Sequence, residues 1–380
     1  MPSGASTIAG DDGQPGERLF WECQTPLALQ YGGELAGFTL AYETWGELNA
    51  AHDNCIVVSH ALTGDSHVTG DAGPGHPTPG WWPDLVGPGR PLDSSRFFVV
   101  CVNVLGGCRG TTGPSSLNPE TGAPFALDFP LVSIRDMVAS QARLLEHLGV
   151  QRVVCVLGGS MGGQQVLEWG VQHPDLVRGL VPLAANFAAS PQQISFGSVG
   201  RKAITLDPDF HDGAYYGRGD GHGPARGLAI ARMIAHITYR SDASFISRFG
   251  RALVEGEKPG LFQRFEVESY LDYHGDKLVR RFDANTYLYL TKAMDLHDVF
   301  AGFESEEAAL RRIRGPVLMM GVSSDILFPT HQQIVGVRAL RNVGVPVSYF
   351  EIESPHGHDG FLIETEVVGA RITRFLADLP

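Results

Sequence analysis

The stretch VCVLGGSMGGQQVLEWG, residues 154–170, places one serine between two pairs of glycines. Ser160 is the centre of a Gly-x-Ser-x-Gly pattern that follows a strand-like apolar run and opens a helix-like one. In that context the pattern predicts a sharp turn that exposes the serine hydroxyl as a nucleophile above the sheet edge. Glycine is expected at 158 and 162 because side chains there would collide. The backbone N–H of Met161 would then face a developing oxyanion.

The same glycines could instead form a loop that binds phosphate. Gly158 and Gly163 have the spacing of a P-loop, but Gln164 and Gln165 occupy the positions of its lysine and its serine or threonine. Without that lysine the terminal phosphates lack their main cation. The residue types therefore favour the nucleophile, although Gly-x-Ser-x-Gly also occurs by chance in glycine-rich turns.

A serine nucleophile needs a base, and the base needs an acid that orients it. In this architecture the chain order is serine, then aspartate or glutamate, then histidine. Asp325 follows the apolar run 316–322, and a His-Gly-His sequence follows the run 346–352. Both positions lie at carboxyl ends of predicted strands, where open α/β sheets build their sites. Taken alone, Asp325 could equally be a turn or capping aspartate.

The order of residues does not by itself choose between His356 and His358 as the base. We prefer His358 because it neighbours Asp359 and directly precedes a helix-like run. The two histidines could also bind a metal as a His-x-His pair, but no third ligand at helical spacing supports that interpretation. A second oxyanion donor is expected in the loop SHALTGDSH, where Ala61 or Leu62 would supply the N–H group.

Short apolar runs, alternating with helix-like stretches such as residues 133–150, indicate the elements that position these groups. Continuous apolar runs suit strands buried on both faces of a parallel sheet, so the pattern predicts an α/β fold with helices on both faces. The predicted strands span residues 54–62, 97–105, 152–159, 179–185, 316–322 and 346–352.

The alternation fails between residues 186 and 314, where helix-like segments and a glycine-rich loop replace the strands. The sequence therefore predicts a core made of residues 19–185 and 315–380, interrupted by a helical insertion at 186–314. Residues 1–18 are rich in glycine, serine and aspartate, and we expect them to be disordered.

Composition excludes several classes of protein. The net charge of −13 argues against nucleic acid or an anionic membrane as the main partner. No apolar run is long enough to span a bilayer, and residues 1–20 lack the pattern of a signal peptide. The five cysteines form no CxxC pair and no zinc spacing, which predicts a reducing cytoplasm and no metal.

Beyond the serine motif, several segments resemble the homoserine O-acyltransferases, which are relatives of the α/β hydrolases. The similar segments include HALTGDSH, NVLGGCRGTTGPSSLNPETG, GGSMGGQQVLEW, ARMIAHITYRS, SSDILFP and HGHDGFL, and the resemblance extends from about Leu19 to Phe375. It implies an α/β-hydrolase fold whose helical insertion is a lid, and commonly a homodimer formed through that lid. It also implies acetyl transfer from acetyl-CoA to the side-chain hydroxyl of L-homoserine, in methionine biosynthesis, without a bound cofactor.

The resemblance also assigns roles to individual residues. Ser160 is similar to the family nucleophile, Asp325 to its acid and His358 to its base, which favours His358 over His356. Further roles are implied for four residues: the substrate carboxylate would be held by Arg232, its amine by Asp359, and the oxyanion by the N–H groups of Leu62 and Met161.

Several alternatives remain open within and beyond this family. The segment QQISFGSVGRKAI, at the start of the insertion, departs from many members, so succinyl-CoA remains a possible donor. Serine or deacetylcephalosporin C could be the acceptor, and an esterase would carry the same triad. Without the family resemblance, Arg232 would be taken as a surface salt-bridge residue, and Asp359 could equally be a helix cap. Candidates for holding the CoA phosphates are Arg90, Arg109 and Lys202.

Overall fold

The computed structural model describes residues 17–218, 223–256 and 258–380. Its centre is a sheet of eight strands. In chain order they are β1 (Leu19–Cys23), β2 (Phe38–Trp45), β3 (Cys55–Ser59), β4 (Phe98–Val102), β5 (Val153–Gly159), β6 (Leu180–Leu183), β7 (Val317–Val322) and β8 (Val347–Ile352). All six predicted strands are therefore present, and each is one to four residues shorter than predicted.

The strands lie in the order β1-β2-β4-β3-β5-β6-β7-β8. From β4 to β8 every pairing is parallel, whereas β1 and β2 pair in the antiparallel sense at one edge. Neither of these two strands was predicted, because β2 mixes polar and apolar residues and three of the five residues of β1 are exposed. The register aligns Gly159 with Leu183 and Leu183 with Met320, so the segments after β5, β6 and β7 emerge at one edge.

Apolar side chains fill both faces of the sheet. On β3, Val57 belongs to the core cluster on one face, while Ile56 and Val58 belong to the cluster on the other. This division explains why the central strands are continuous apolar runs rather than alternating ones. The sheet therefore has two cores and holds its carboxyl edge rigidly.

The helices of the core cover these faces. They are α1 (Ile134–His147), α2 (Met161–Gln172), α9 (Thr330–Asn342), α10 (Gly360–Ile363) and α11 (Thr365–Ala377). Helix α1 begins at a capping box. The Ser133 hydroxyl accepts a hydrogen bond from the Asp136 N–H, and the Asp136 carboxylate accepts one from the Ser133 N–H.

In the described part of the chain, six further α-helices lie between β6 and β7. They are α3 (Pro191–Thr205), α4 (Ala225–Tyr239), α5 (Asp242–Phe249), α6 (Glu266–Val279), α7 (Ala284–Asp295) and α8 (Glu306–Leu310). Among the described residues of 186–314 there is no strand, only the isolated bridges Ala188–Asp298 and Leu253–Phe265. Helix α4 packs against both α3 and α6, so these helices form one layer. We call residues 186–314 the helical insertion.

Two expectations concern segments that are only partly described. Of the N-terminal segment 1–18, residues 1–16 lie outside the described residues, but Arg18 is buried and pairs with Asp65. Part of the glycine-rich loop, residues 219–222, also lies outside the described ranges. Within those ranges, no helix is both long and apolar enough to cross a membrane.

Candidate active site

Ser160 lies at a turn between β5 and α2, in a conformation that L-residues rarely adopt. Its backbone has φ 59° and ψ −125°, and its N–H donates to the Leu183 carbonyl at 3.0 Å. A positive φ at a residue other than glycine indicates strain that the surrounding structure must maintain. The strained turn presents Ser160 at the carboxyl edge of the sheet, as the sequence pattern predicts.

The flanking glycines are required because backbone crowds the turn. A Cβ atom on Gly162 would lie 2.1 Å from the Ser59 carbonyl oxygen, and one on Gly158 would lie 2.4 Å from the same oxygen. A Cβ on Gly163 would lie 2.5 Å from the Ala185 side chain. The glycines therefore serve close packing of the turn against β3 and β6.

Asp325 and His358 come from loops after β7 and β8 and meet at the same edge. The His358 Nδ1 lies 2.7 Å from the Asp325 Oδ2, and both side chains are buried. The other carboxylate oxygen of Asp325 accepts hydrogen bonds from the N–H groups of Leu327 and Phe328, at 2.8 and 2.9 Å. These bonds fix the carboxylate, which in turn fixes the imidazole and its tautomer.

The opposite nitrogen of His358, Nε2, is buried and has no hydrogen-bond partner among the described residues. Phe328 stacks on the ring at 5.1 Å, and Phe361 meets it edge-on at 5.6 Å. The Phe361 ring also packs on Gly159, so it joins the histidine to the serine turn. This arrangement leaves Nε2 as the nitrogen available to accept a proton from a hydroxyl group at this edge.

Burial lowers the pKa of His358, but the charge of Asp325 and its hydrogen bond outweigh burial, and Asp359 adds to them. The net result is a pKa raised above the ordinary value of 6.5. A raised pKa strengthens the imidazole as a proton acceptor. The pair therefore has the chemistry of a general base and its orienting acid.

The second histidine of the motif, His356, occupies a different environment. Its N–H donates to the Ser354 hydroxyl at 3.2 Å, and its Nδ1 has no partner in the part of the chain that is described. Asp325 contacts His358 and not His356. The geometry therefore supports our preference for His358, whose catalytic role remains a prediction.

Leu62 and Met161, the predicted oxyanion donors, are both buried. Neither backbone N–H donates a hydrogen bond within the described ranges. Leu62 belongs to the loop of residues 60–67, which follows β3 and which we call the 60–67 loop. His60 anchors this loop, because its Nε2 accepts the Val104 N–H at 3.1 Å and its carbonyl accepts from Gln165. Two unpaired donors at a fixed edge suit a developing negative charge.

Arg232 lies on α4 and reaches the same loop from the helical insertion. One of its terminal nitrogens donates to the Thr63 hydroxyl at 3.2 Å, and its guanidinium lies 5.5 Å from the centre of the Tyr239 ring. No carboxylate among the described residues lies within ion-pair distance of it. It is therefore not the surface salt-bridge arginine that its position alone would suggest.

Asp359 lies next to His358 and pairs with Arg240 at 3.4 Å. It occupies the N-cap position of α10, but its side chain makes no capping hydrogen bond. Burial raises the pKa of Asp359, and the nearby cations Arg240, His358 and Arg232 oppose that rise only in part. The Asp359 carboxylate therefore pairs with Arg240 and does not cap the helix.

A cavity of about 70 Å³ lies between the helical insertion and the carboxyl edge of the sheet. It is mostly apolar, and six of the residues that line it are Leu62, Gln164, Tyr239, Tyr287, Leu327 and Phe328. Tyr239 and Phe328 also contact the His358 ring. The cavity is therefore lined by Leu62 of the predicted oxyanion loop and by two residues that contact the His358 ring.

Tyr239 was not predicted as a site residue, but the centre of its ring lies 5.7 Å from that of His358. It follows Arg232 by two turns of α4, so helical spacing could have placed both on one face. Of the cations considered for CoA phosphates, Arg109 is buried, Arg90 pairs with Asp84 at the surface and Lys202 is exposed.

Glu43, His67 and His76 form a buried cluster whose atoms are close enough to suggest a metal site. The two rings, however, stack at 3.7 Å with planes only 13° apart. Nitrogen lone pairs lie in the ring plane, so parallel stacked rings cannot direct them at one ion. All four ring nitrogens also have protein neighbours within 3.3 Å. The cluster instead ties the 60–67 loop to β2 through Glu43.

Comparisons with known proteins agree with this geometry. Residues 54–365 match the family model of the α/β-hydrolase fold. The chain is 53% identical over 363 residues to a homoserine O-acetyltransferase of Moorella thermoacetica, an alignment that covers 95% of this chain and 96% of that protein. This chain belongs to the homoserine O-acetyltransferase family.

Solved structures place the family among related hydrolases. The crystal structure of homoserine O-acetyltransferase from Bacillus anthracis has a TM-score of 0.88 and 27% identity, covering 95% of this chain and 98% of that one. Esterase E22 has a TM-score of 0.85 and 26% identity, covering 95% and 99%. Members of the homoserine O-acetyltransferase family thus share their architecture with enzymes that are named as esterases.

Proposed function

We propose that this chain transfers the acetyl group of acetyl-CoA to the side-chain hydroxyl of L-homoserine, a step of methionine biosynthesis. The observation that most supports the proposal is the buried Asp325–His358 pair, whose free Nε2 lies at the sheet edge that carries the strained Ser160. The name shared by relatives about half identical over nearly the whole chain supports the donor and the acceptor.

In the first half-reaction, His358 Nε2 accepts the proton of the Ser160 hydroxyl as the oxygen attacks the thioester carbonyl. The N–H groups of Met161 and Leu62 stabilise the resulting oxyanion. The carbon–sulfur bond then breaks, and the departing sulfur takes the proton from His358. The products are free CoA and an acetyl ester of Ser160.

In the second half-reaction, the homoserine hydroxyl gives its proton to His358 Nε2 and attacks the acetyl ester. The same two N–H groups hold the second oxyanion. When the ester bond to Ser160 breaks, the serine oxygen recovers the proton and O-acetylhomoserine leaves. No atom or electron is needed from a cofactor, so acetyl-CoA is a substrate and nothing else need be bound.

Acceptor specificity is assigned to two charged residues whose charges act on each other next to His358. Homoserine is a zwitterion, so the Arg232 guanidinium is proposed to bind its carboxylate and Asp359 its amine. The apolar cavity would exclude water from the acetyl ester, which prevents hydrolysis from competing with transfer. For this role residues 186–314 act as a lid over the core.

Assembly and location are part of the same proposal. Large apolar side chains are exposed on the insertion, for example Ile230 and Ile237 on α4, at 46% and 48%. Exposed apolar surface on one element favours association, so we propose a homodimer formed through the insertion. The five cysteines are all free, which suits a reducing cytoplasm.

An esterase is the second candidate, because esterase E22 shares the fold across 95% of this chain. The test is release of CoA from acetyl-CoA and from succinyl-CoA, each with and without L-homoserine. We expect release of one CoA per active site from acetyl-CoA alone, and sustained release beyond that first turnover only when homoserine is present. Release that ignores homoserine would favour an esterase or another acceptor, such as serine or deacetylcephalosporin C, and preference for succinyl-CoA would change the donor.

A further inference from the structure

Arg281 lies two residues after the end of α6 and contacts the 60–67 loop of the core. One of its terminal nitrogens donates to the Thr63 carbonyl oxygen at 2.8 Å. Arg232, from a different helix, donates to the hydroxyl of the same threonine at 3.2 Å. Two guanidinium groups of the helical insertion therefore donate hydrogen bonds to Thr63, which directly follows the predicted oxyanion donor Leu62.

The two cations do not neutralise each other, and no carboxylate in the described ranges forms an ion pair with either. Asp65 pairs with Arg18 at 3.6 Å, and its charge opposes only in part the lowering of the Arg281 pKa. Burial, and then the charge of Arg232, lower the pKa of Arg281 to about 10, so Arg281 remains a cation at neutral pH. An anion that binds beside Thr63 would relieve this repulsion.

We infer that Arg281 is a positioning residue for the acceptor's carboxylate, a role that rests on the proposed function. Its bond to the Thr63 carbonyl fixes the backbone, so that the threonine hydroxyl receives and aims Arg232. Its charge adds a second positive group that attracts a carboxylate. The acetyl-transfer chemistry itself does not involve Arg281, because that chemistry uses Ser160 and His358.

The test compares the two half-reactions in the wild type, Arg281→Gln, Arg281→Lys and Arg280→Gln. The last variant removes an exposed charge one residue earlier and serves as the matched control. Acetylation of the enzyme is followed as CoA release from acetyl-CoA without an acceptor. Transfer is followed with L-homoserine and with 3-amino-1-propanol, which has the same hydroxyl and amine but no carboxylate.

For Arg281→Gln we expect a KM for L-homoserine raised by roughly 10- to 100-fold, the range for losing one hydrogen bond to a charged group. Enzyme acetylation and transfer to 3-amino-1-propanol should stay within about threefold of the wild type, a change too small to reflect a lost bond. Arg281→Lys keeps the charge, so its KM for L-homoserine should lie between those of the wild type and Arg281→Gln. The KM of Arg280→Gln should match that of the wild type.

Two results would overturn the inference. Equal losses in enzyme acetylation and in transfer would mean that Arg281 supports the oxyanion loop in general, and an unchanged KM for L-homoserine would mean that it does not act on the acceptor. A wild-type chain that never transfers acetyl to L-homoserine would contradict the proposed function, and with it this role. If Arg281→Gln does not fold, Arg281→Lys decides between the same outcomes.

Discussion

Replacing Asp325 by asparagine removes the charge beside His358 while keeping the size of the side chain. The asparagine oxygen can still accept the N–H groups of Leu327 and Phe328, so its amide nitrogen faces the His358 Nδ1. An amide N–H there requires Nδ1 to act as an acceptor, which places the ring proton on Nε2. That tautomer cannot accept the proton of Ser160.

The structure also sets the expected size of this effect. In serine triads the wrong tautomer lowers kcat by roughly 10⁴-fold. We therefore expect a loss of about 10³- to 10⁴-fold in enzyme acetylation, or about 4 to 5.5 kcal/mol of transition-state stabilisation. The fold itself should persist, because the buried backbone N–H groups keep their acceptor.

The pH dependence gives a second readout of the same substitution. Only neutral His358 can accept a proton, so activity falls as the pH drops through its pKa. In the wild type Asp325 raises that pKa above 6.5, so the acidic limb of kcat/KM for acetyl-CoA should lie above 6.5. Without the carboxylate, burial dominates and the limb should move to lower pH.

The assay is single-turnover CoA release over a range of pH, with Asp378→Asn as the control at a surface aspartate. The control should keep both the wild-type rate and the wild-type limb. Retention of more than about a tenth of the rate in Asp325→Asn would refute the orienting role, since it would correspond to less than about 1.4 kcal/mol. An unmoved acidic limb would refute the assignment of that limb to the Asp325–His358 pair.

Three further predictions follow from contacts at the site. His356→Ala should keep transfer within about threefold of the wild type, as expected for a side chain without a partner in the mechanism, and loss of activity in steady-state assays would revive it as the base. Gly162→Ala should lower the free energy of unfolding by about 1–3 kcal/mol or more, because its Cβ meets the Ser59 oxygen, whereas Gly73→Ala has open space; equal denaturant midpoints would contradict this. Asp359→Asn should raise the KM for L-homoserine roughly tenfold while enzyme acetylation persists, and equal effects on both half-reactions would argue against an amine contact.

The sequence was most informative where burial and local geometry restrict the residue types. The strands of the parallel part were predictable because both of their faces are buried, as on β3, which makes them apolar throughout. The turn at Ser160 was predictable because only glycine fits against the Ser59 carbonyl on either side. The antiparallel edge was not, because its strands carry exposed and polar residues.

Contacts that join distant segments could not be read from the sequence. Arg281 and Thr63 are 218 residues apart, and nothing in either local pattern indicates that they meet. Similarly, only the fold brings Tyr239 of the helical insertion to the ring of His358. The order of residues could not choose between His356 and His358 for the same reason, because the choice depends on which ring contacts Asp325 in the folded chain.

The central claim is that Ser160 carries the acetyl group between donor and acceptor. Its most direct test is mass spectrometry of the chain after incubation with acetyl-CoA alone, followed by addition of L-homoserine. We expect one acetyl group on the peptide that contains Ser160. Addition of homoserine should remove this acetyl group from the peptide and produce O-acetylhomoserine. Formation of O-acetylhomoserine by the Ser160→Ala variant would contradict the role of Ser160. A wild-type chain that never acquires the acetyl group on this peptide would contradict it as well.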